Sequence, residues 1–216
     1  MAHAADDTRC RLLEAAGETF AEKGFQAATV REICARAGAN LAAVNYHFGD
    51  KERLYVEAVQ YAHSNKAEDS PPEWPAGTPA SVRLREYIGW MLRHLRDESR
   101  PAWHEQLMMR EMIKPTKACV AVVERFIRAR FELLEGIVAE LLPPETTHSD
   151  RTLITLSVVA QCLIYRARNP FVALVVGEDQ YRAYALDRLA DHITQFTLAA
   201  LGHGNPVHTP AKVARS

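Results

Sequence analysis

Between Thr29 and Lys51 the sequence sets out groups suited to touching a nucleic-acid duplex. Asn45 offers both donors and an acceptor, the complement that a base edge asks for. Leu41 and Ala42 lie four and three positions earlier and can pack on a thymine methyl. Tyr46, His47 and Lys51 follow, with a hydroxyl, a ring nitrogen and an ammonium that suit phosphate oxygens. Thr29 and Arg31 bring the same chemistry ahead of them. A helix that enters a groove must be slim where it enters, and Ala42 and Ala43 leave little bulk there.

These groups work only if short helices present them. Thr29 and Glu32 stand in T-x-x-E spacing, a capping box that starts a helix at Val30. Gly38 ends that helix after barely two turns. Asn40 caps a second short helix that Gly49 stops, and Asp50 caps a third from Lys51 onward. Ahead of them, Leu12, Leu13, Ala16, Phe20 and Ala21 form a helical face, with Asp6, Asp7 or Thr8 as its cap and Gly24 as its end. Capped helix, glycine turn and second helix are the parts of a helix-turn-helix, whose second helix enters the major groove. Phe20, Phe25, Val30, Ile33, Ala37, Val44 and Phe48 are assigned to the core of this small domain.

The 216 residues are 48% apolar and 25% charged, with a formal net charge of -1. Overall charge therefore advertises neither nucleic acid nor membrane, although a local patch suffices for DNA. Up to Tyr55 there are seven basic and eight acidic residues. Any DNA surface must arise from segregation of charge, with the acids of the first helix turned away and two copies sharing the work. The four cysteines are scattered, which supports neither a zinc site nor a disulfide framework. They read as thiols in a reducing compartment, with redox sensing as the alternative. No secretory signal and no apolar run of membrane-spanning length is present, so a cytoplasmic chain with no membrane partner is expected. No cofactor motif and no metal-ligand spacing is found.

Pro, Gly and acidic residues between 67 and 79 read as a loop that closes an N-terminal unit, 1–66. Residues 67–201 read as longer helices and 202–216 as a disordered tail. Pro101 fits a first turn, Pro115 breaks a helix, and 116–142 continues as one helix. A helix over about 150–168 stops at Asn169-Pro170. A last helix over 179–201 carries Leu186, Leu189, Ile193, Phe196 and Ala200 in a bundle-type seam. That seam serves equally a core within the chain or a contact between copies. The expected class is all-α, an N-terminal three-helix helix-turn-helix domain followed by a helical domain.

Residues 7–55 resemble the DNA-binding domain of TetR-family transcriptional regulators. The resemblance rests on "FAEKGF", "ATVREICARAG" and "VNYHFGDKERL". The family commonly has Tyr-Tyr-His-Phe where this chain has Asn45-Tyr46-His47-Phe48, so Asn45 bears on base preference. Carried over, Thr29, Tyr46, His47 and Lys51 become phosphate contacts, and Leu41, Ala42 and Asn45 face bases. The resemblance also implies a homodimer through the last two helices, a palindromic double-stranded operator and a small-molecule effector that releases a repressor. Effector binding would swing the fourth helix and change the spacing of the recognition helices.

Trp103, His104, Leu107, Met108 and Met112 are the candidate effector residues, being bulky, adaptable and partly polar. A methionine-rich core would look the same. The run "HEQLMMREMIKPT" that contains most of them resembles one in the C-terminal domain of a TetR subgroup. Arg166 and Arg168, near a helix C-terminus, suit an exposed role or an anionic effector. Two other readings are a helical enzyme using His94, His104 and Glu105 for acid–base work, and a helical protein-interaction adaptor.

Overall fold

The computed structural model describes residues 2–63, 70–167 and 169–204, with side chains of the first helix described from Asp7. It is all-α, with no strand among the described residues. The helices are α1 (Ala2–Ala27), α2 (Val30–Ala37), α3 (Leu41–His47), α4 (Lys51–His63), α5 (Ala80–Leu95) and α6 (Ala102–Ile113). There follow α7 (Lys117–Val122), α8 (Arg128–Ala139), α9 (His148–Ile164), α10 (Pro170–Val176), α11 (Glu178–Ala183) and α12 (Leu186–Ala200).

Local chemistry sets the boundaries of the first helices. α1 starts ahead of the predicted caps, and Gly24 within it leaves helical geometry at φ 77°, ψ 168°. Thr29 and Glu32 close the predicted capping box. Gly38 sits in the left-handed region at φ 60°, ψ 36°, where its N–H reaches the Ala35 and Cys34 carbonyls and ends α2. Asn40 Oδ1 accepts from the Ala43 N–H at 2.9 Å, and Asp50 Oδ1 from the Arg53 N–H at 2.8 Å. Each such cap contributes about 1 kcal/mol.

Packing divides the chain into two compact units, Met1–Asp69 with Ser99–Ala129, and Ser70–Glu98 with Arg130–Ser216. In the first unit Leu12, Phe20, Ile33, Val44, Phe48, Leu54, Trp103, Leu107 and Val122 share one apolar core. α6 lies directly on α1, with the Trp103 ring over Gly17. A Cβ at Gly17 would stand 2.1 Å from Trp103 Cζ3. In the second unit Leu84, Tyr87, Ile88, Leu92, Leu134, Ile137, Val158, Leu189 and Ile193 share another core.

Three elements differ from the sequence reading. The stretch expected as one helix over 116–142 contains a wide π turn at Val123–Ile127, between α7 and α8. Asn169-Pro170 starts α10 rather than only ending α9. The Asn169 side chain accepts from the Val172 N–H, and Pro occupies the first turn, where a missing N–H costs nothing. The predicted final helix is split at Tyr184–Ala185, both extended. There Arg96 Nη1 donates to the Tyr184 carbonyl at 2.7 Å, so a guanidinium takes an acceptor that helix continuation would have used. The seam on α12 is spent mainly inside the chain, because Leu189 and Ile193 are buried while Phe196 is exposed.

Candidate nucleic-acid interface

α3 has two distinct faces. Val44 and Phe48, one turn apart, are buried in the first unit's core and fix the helix's rotation. Leu41, Ala42, Asn45 and Tyr46 lie on the opposite face, all exposed, with Tyr46 at 82%. The residues expected to face bases are thus brought onto one side, together with one expected phosphate contact. His47 is half-buried between the Tyr46 and Phe48 rings, with centroids at 4.9 and 6.0 Å.

Lys51 opens α4 with its ammonium 4.7 Å above the Phe25 ring and 3.4 Å from the Gln26 carbonyl. These contacts orient the charge before any partner arrives, which lowers the ordering cost of a phosphate contact. Thr29 is differently placed. Its hydroxyl donates to Glu32 Oε2 at 3.0 Å and accepts from the Glu32 N–H at 3.2 Å. To donate to a phosphate it must release the Glu32 carboxylate. The Lys23 ammonium at 2.7 Å, the Thr29 N–H at 3.1 Å and the Thr29 hydroxyl together hold that carboxyl down to about 2. Arg31 is exposed in the first turn of α2.

Charge in this unit is sorted, as its near-zero total requires. Glu18 and Glu22 on α1 meet Arg36 of α2 at 3.3 and 2.9 Å. The Arg36 hydrogen bond draws the Glu22 carboxyl below its ordinary value. Arg9 pairs with Glu57, and Glu14 lies 3.5 Å from the Tyr61 hydroxyl. These acids of α1 engage partners other than the α3 residues.

The candidate effector residues all lie on α6, within the first unit. Trp103 and Leu107 are buried among residues of the helix-turn-helix core, Met108 is half-buried against it, and Met112 is 54% exposed. His104 is only 5% exposed, its ring 4.0 Å from that of Trp103 and 6.1 Å from that of Tyr61. Its Nδ1 has no hydrogen-bond partner, and burial, with the nearby Arg100, lowers its pKa to about 4. His94 lies on α5 of the second unit, while His104 and Glu105 lie in the first. Arg166 is half-buried, its carbonyl accepting from the Tyr181 hydroxyl, and Arg168 lies outside the described residues. An open cleft of about 520 Å³ in the second unit is lined by residues 74–80, Arg83 and Glu140, and includes none of the α6 set.

Sequence reasoning singled out neither Arg110 nor Glu111. A signal was present: Trp103, Leu107 and Glu111 recur every four residues, so a carboxylate occupies the buried stripe of α6. Among the described residues no group of three or more His, Cys, Asp or Glu is arranged to hold a metal. No described helix is long and apolar enough to cross a membrane. Burial raises the Cys34 and Cys119 thiols and pushes Cys162 up to about 12, which disfavours their thiolates.

Comparison with known proteins bears on the family and the fold. Residues 12–58 match the family model of bacterial regulatory proteins of the tetR family. Residues 80–201 match that of the C-terminal domain of the HTH-type transcriptional dual regulator CecR. The chain is 27% identical to CecR of Shigella flexneri over 80% of its own length and 81% of that protein. It is 26% identical to the HTH-type transcriptional regulator YerO of Bacillus subtilis (strain 168), over 91% of this chain and 67% of that one. In fold it is similar to a TetR-like transcriptional regulator from Rhodococcus sp. RHA1, with a TM-score of 0.58 and 19% identity over 90% and 96% of the two chains. These relatives are regulators rather than enzymes. Two matched models, one on the helix-turn-helix and one on more than half of the sequence, make this chain a member of the TetR family of DNA-binding transcriptional regulators, with a C-terminal domain of the CecR type.

Proposed function

We propose that the chain is a ligand-responsive repressor that binds a near-palindromic operator as a homodimer and is released by a small molecule. The observation that carries the DNA half is the two-faced α3, with Val44 and Phe48 buried and Leu41, Ala42, Asn45 and Tyr46 presented together. On this reading Leu41, Ala42 and Asn45 face bases, while Thr29, Arg31, Tyr46, His47 and Lys51 hold phosphates. Two α3 helices then occupy successive major grooves about 34–36 Å apart. Support for the dimer comes from the exposed Leu153, Leu156 and Ile164 on α9 and Phe196 on α12, apolar groups on the helices expected to pair. Support for an effector at Trp103, His104, Leu107, Met108 and Met112 comes from His104, whose buried Nδ1 lacks a partner that a ligand can supply. An effector acts only through unequal affinity for the two spacings of the recognition helices.

Selection of bound duplexes from a random pool tests the reading. A two-fold symmetric consensus with half-sites one helical turn apart is the expected result. A consensus without symmetry would count against the dimer, and no enrichment would count against the α3 assignment. The Shigella relative is a dual regulator, so the sign of regulation needs its own test. A reporter placed behind the selected operator should be silenced by the chain, and activation there would overturn the repressor reading.

A further inference from the structure

Arg110 and Glu111 stand next to each other on α6, within the "HEQLMMREMIKPT" run, outside the groups assigned to DNA and to the effector. Glu111 is 1% exposed. Its carboxylate accepts from the Tyr55 hydroxyl of α4 at 2.5 Å, the Thr116 N–H at 3.0 Å, the Thr116 hydroxyl at 2.9 Å and the Cys119 N–H at 3.1 Å. A buried carboxylate is tolerated when donors converge on it in this way. Burial and the Glu111 carboxylate together raise the Tyr55 hydroxyl pKa, which keeps that group a donor. Arg110 turns to a different helix. Its Nε donates to the Ala21 carbonyl at 2.9 Å and its Nη2 to the Glu22 carbonyl at 3.1 Å, in α1 just before Gly24.

Consecutive residues of one helix thus grip α1 and α4, the elements that precede and follow α2–α3 in the chain. We propose that Arg110 and Glu111 form a two-point clamp that positions the helix-turn-helix, so that operator affinity depends on both grips. The proposal rests on the DNA-interface reading above. Neither residue touches DNA; both are positioning residues. Apolar packing alone lets helices slide along one another, whereas these bonds are directional and fix the register of α6 against both partners. A shift of α6 then moves both supports of α3 together.

The test compares wild type with Glu111→Gln, Arg110→Met, Tyr55→Phe and the Glu111→Gln/Tyr55→Phe double variant. The probe is the tightest duplex selected from a random pool, and a urea midpoint is measured for each protein. Folded Glu111→Gln and Arg110→Met should bind that duplex about tenfold more weakly, the size of one charge-assisted hydrogen bond. Tyr55→Phe should bind more weakly than wild type and should cost nothing further in the Glu111→Gln background. The dependence of affinity on salt should stay unchanged, since no phosphate contact is lost. If Glu111→Gln does not fold, Tyr55→Phe judges that grip alone, because it removes a single hydroxyl. Folded variants that bind within twofold of wild type, full additivity of the pair, or a reduced salt dependence would each overturn the clamp. Failure of wild type to enrich any duplex would sink the DNA reading and the clamp together, whereas unchanged variants beside a binding wild type sink the clamp alone.

Discussion

The first unit exposes Asn45, Tyr46 and Arg31 on its short helices above the buried Val44 and Phe48, with Leu41 on α3 and Met112 and Ile113 on α6 as exposed apolar groups. The second exposes Leu153 and Leu156 on α9, Phe171, Leu174 and Val175 on α10, and Phe196 on α12, with Leu174 at 86%. Both units have complete cores of their own, so neither surface is left over from poor packing. Exposed hydrogen-bonding groups over a core of small and aromatic residues suit a hydrated, charged partner such as a phosphate backbone. Exposed leucines and phenylalanines gain only when water is removed from them, which suits another apolar surface. The interiors differ as well. The buried polar residues of the first unit include two ionisable ones, Glu111 in a set of donors and His104 without a partner for Nδ1, whereas those of the second, Thr155, Asn169, Thr194 and Thr197, are neutral.

The hardest blow to this contrast is a charge on the apolar side. On the proposed dimer, Leu156→Lys with Phe196→Lys places unpaired charges in a buried contact, at a cost of roughly 3–5 kcal/mol. Light scattering should then show monomers, and affinity for a symmetric duplex should fall by about two to three orders of magnitude. A dimer that survives both changes would move the contact off α9 and α12.

Next in size is the buried histidine. His104 has its pKa lowered from 6.5 to about 4, so the unfolded chain binds the extra proton first as pH falls. Stability from neutral His104 is therefore complete above about pH 6.5, declines towards pH 4 and levels off below. The loss is on the order of 2–3 kcal/mol. Urea midpoints across that range should be flatter in His104→Leu than in wild type, and parallel curves would show that His104 does not drive the decline.

Gly17→Ala tests how tightly α6 is seated on α1. The added methyl meets the Trp103 ring, and overpacking of this kind costs about 1–3 kcal/mol although alanine favours the helix. An unchanged or raised urea midpoint would mean the ring moves aside freely.

The smallest effects belong to the individual phosphate contacts. Tyr46→Ala and Lys51→Ala should each weaken binding about three- to tenfold on every sequence. Lys51→Ala should also lower the salt slope by about one. Full binding by either variant removes that residue from the interface.

Much of the first unit was legible because its signals are local. Thr29 with Glu32, Gly38, Asn40 and Asp50 act on backbone groups within a few residues, so capping chemistry can be read along the chain. Val44 and Phe48 could likewise be assigned inward from their spacing of one turn. Further along, the signals were ambiguous. Asn169-Pro170 both stops one helix and starts another, and only its geometry shows the second role. The split at Tyr184–Ala185 depends on Arg96, 88 residues away in sequence.

The sequence by itself determined the all-α class, the helix-turn-helix and the identity of the groups that α3 can present. Local caps and a period of 3.6 residues suffice for these. Tertiary structure alone decided that Trp103 closes over Gly17, that Leu189 and Ile193 are spent within the chain while Phe196 is not, and that Glu111 is buried. Each of these depends on which helices meet, and the partner of a buried charge or an aromatic ring is chosen by residues far away in sequence. A carboxylate on an apolar stripe announces that it needs donors; only the fold names Tyr55, Thr116 and Cys119.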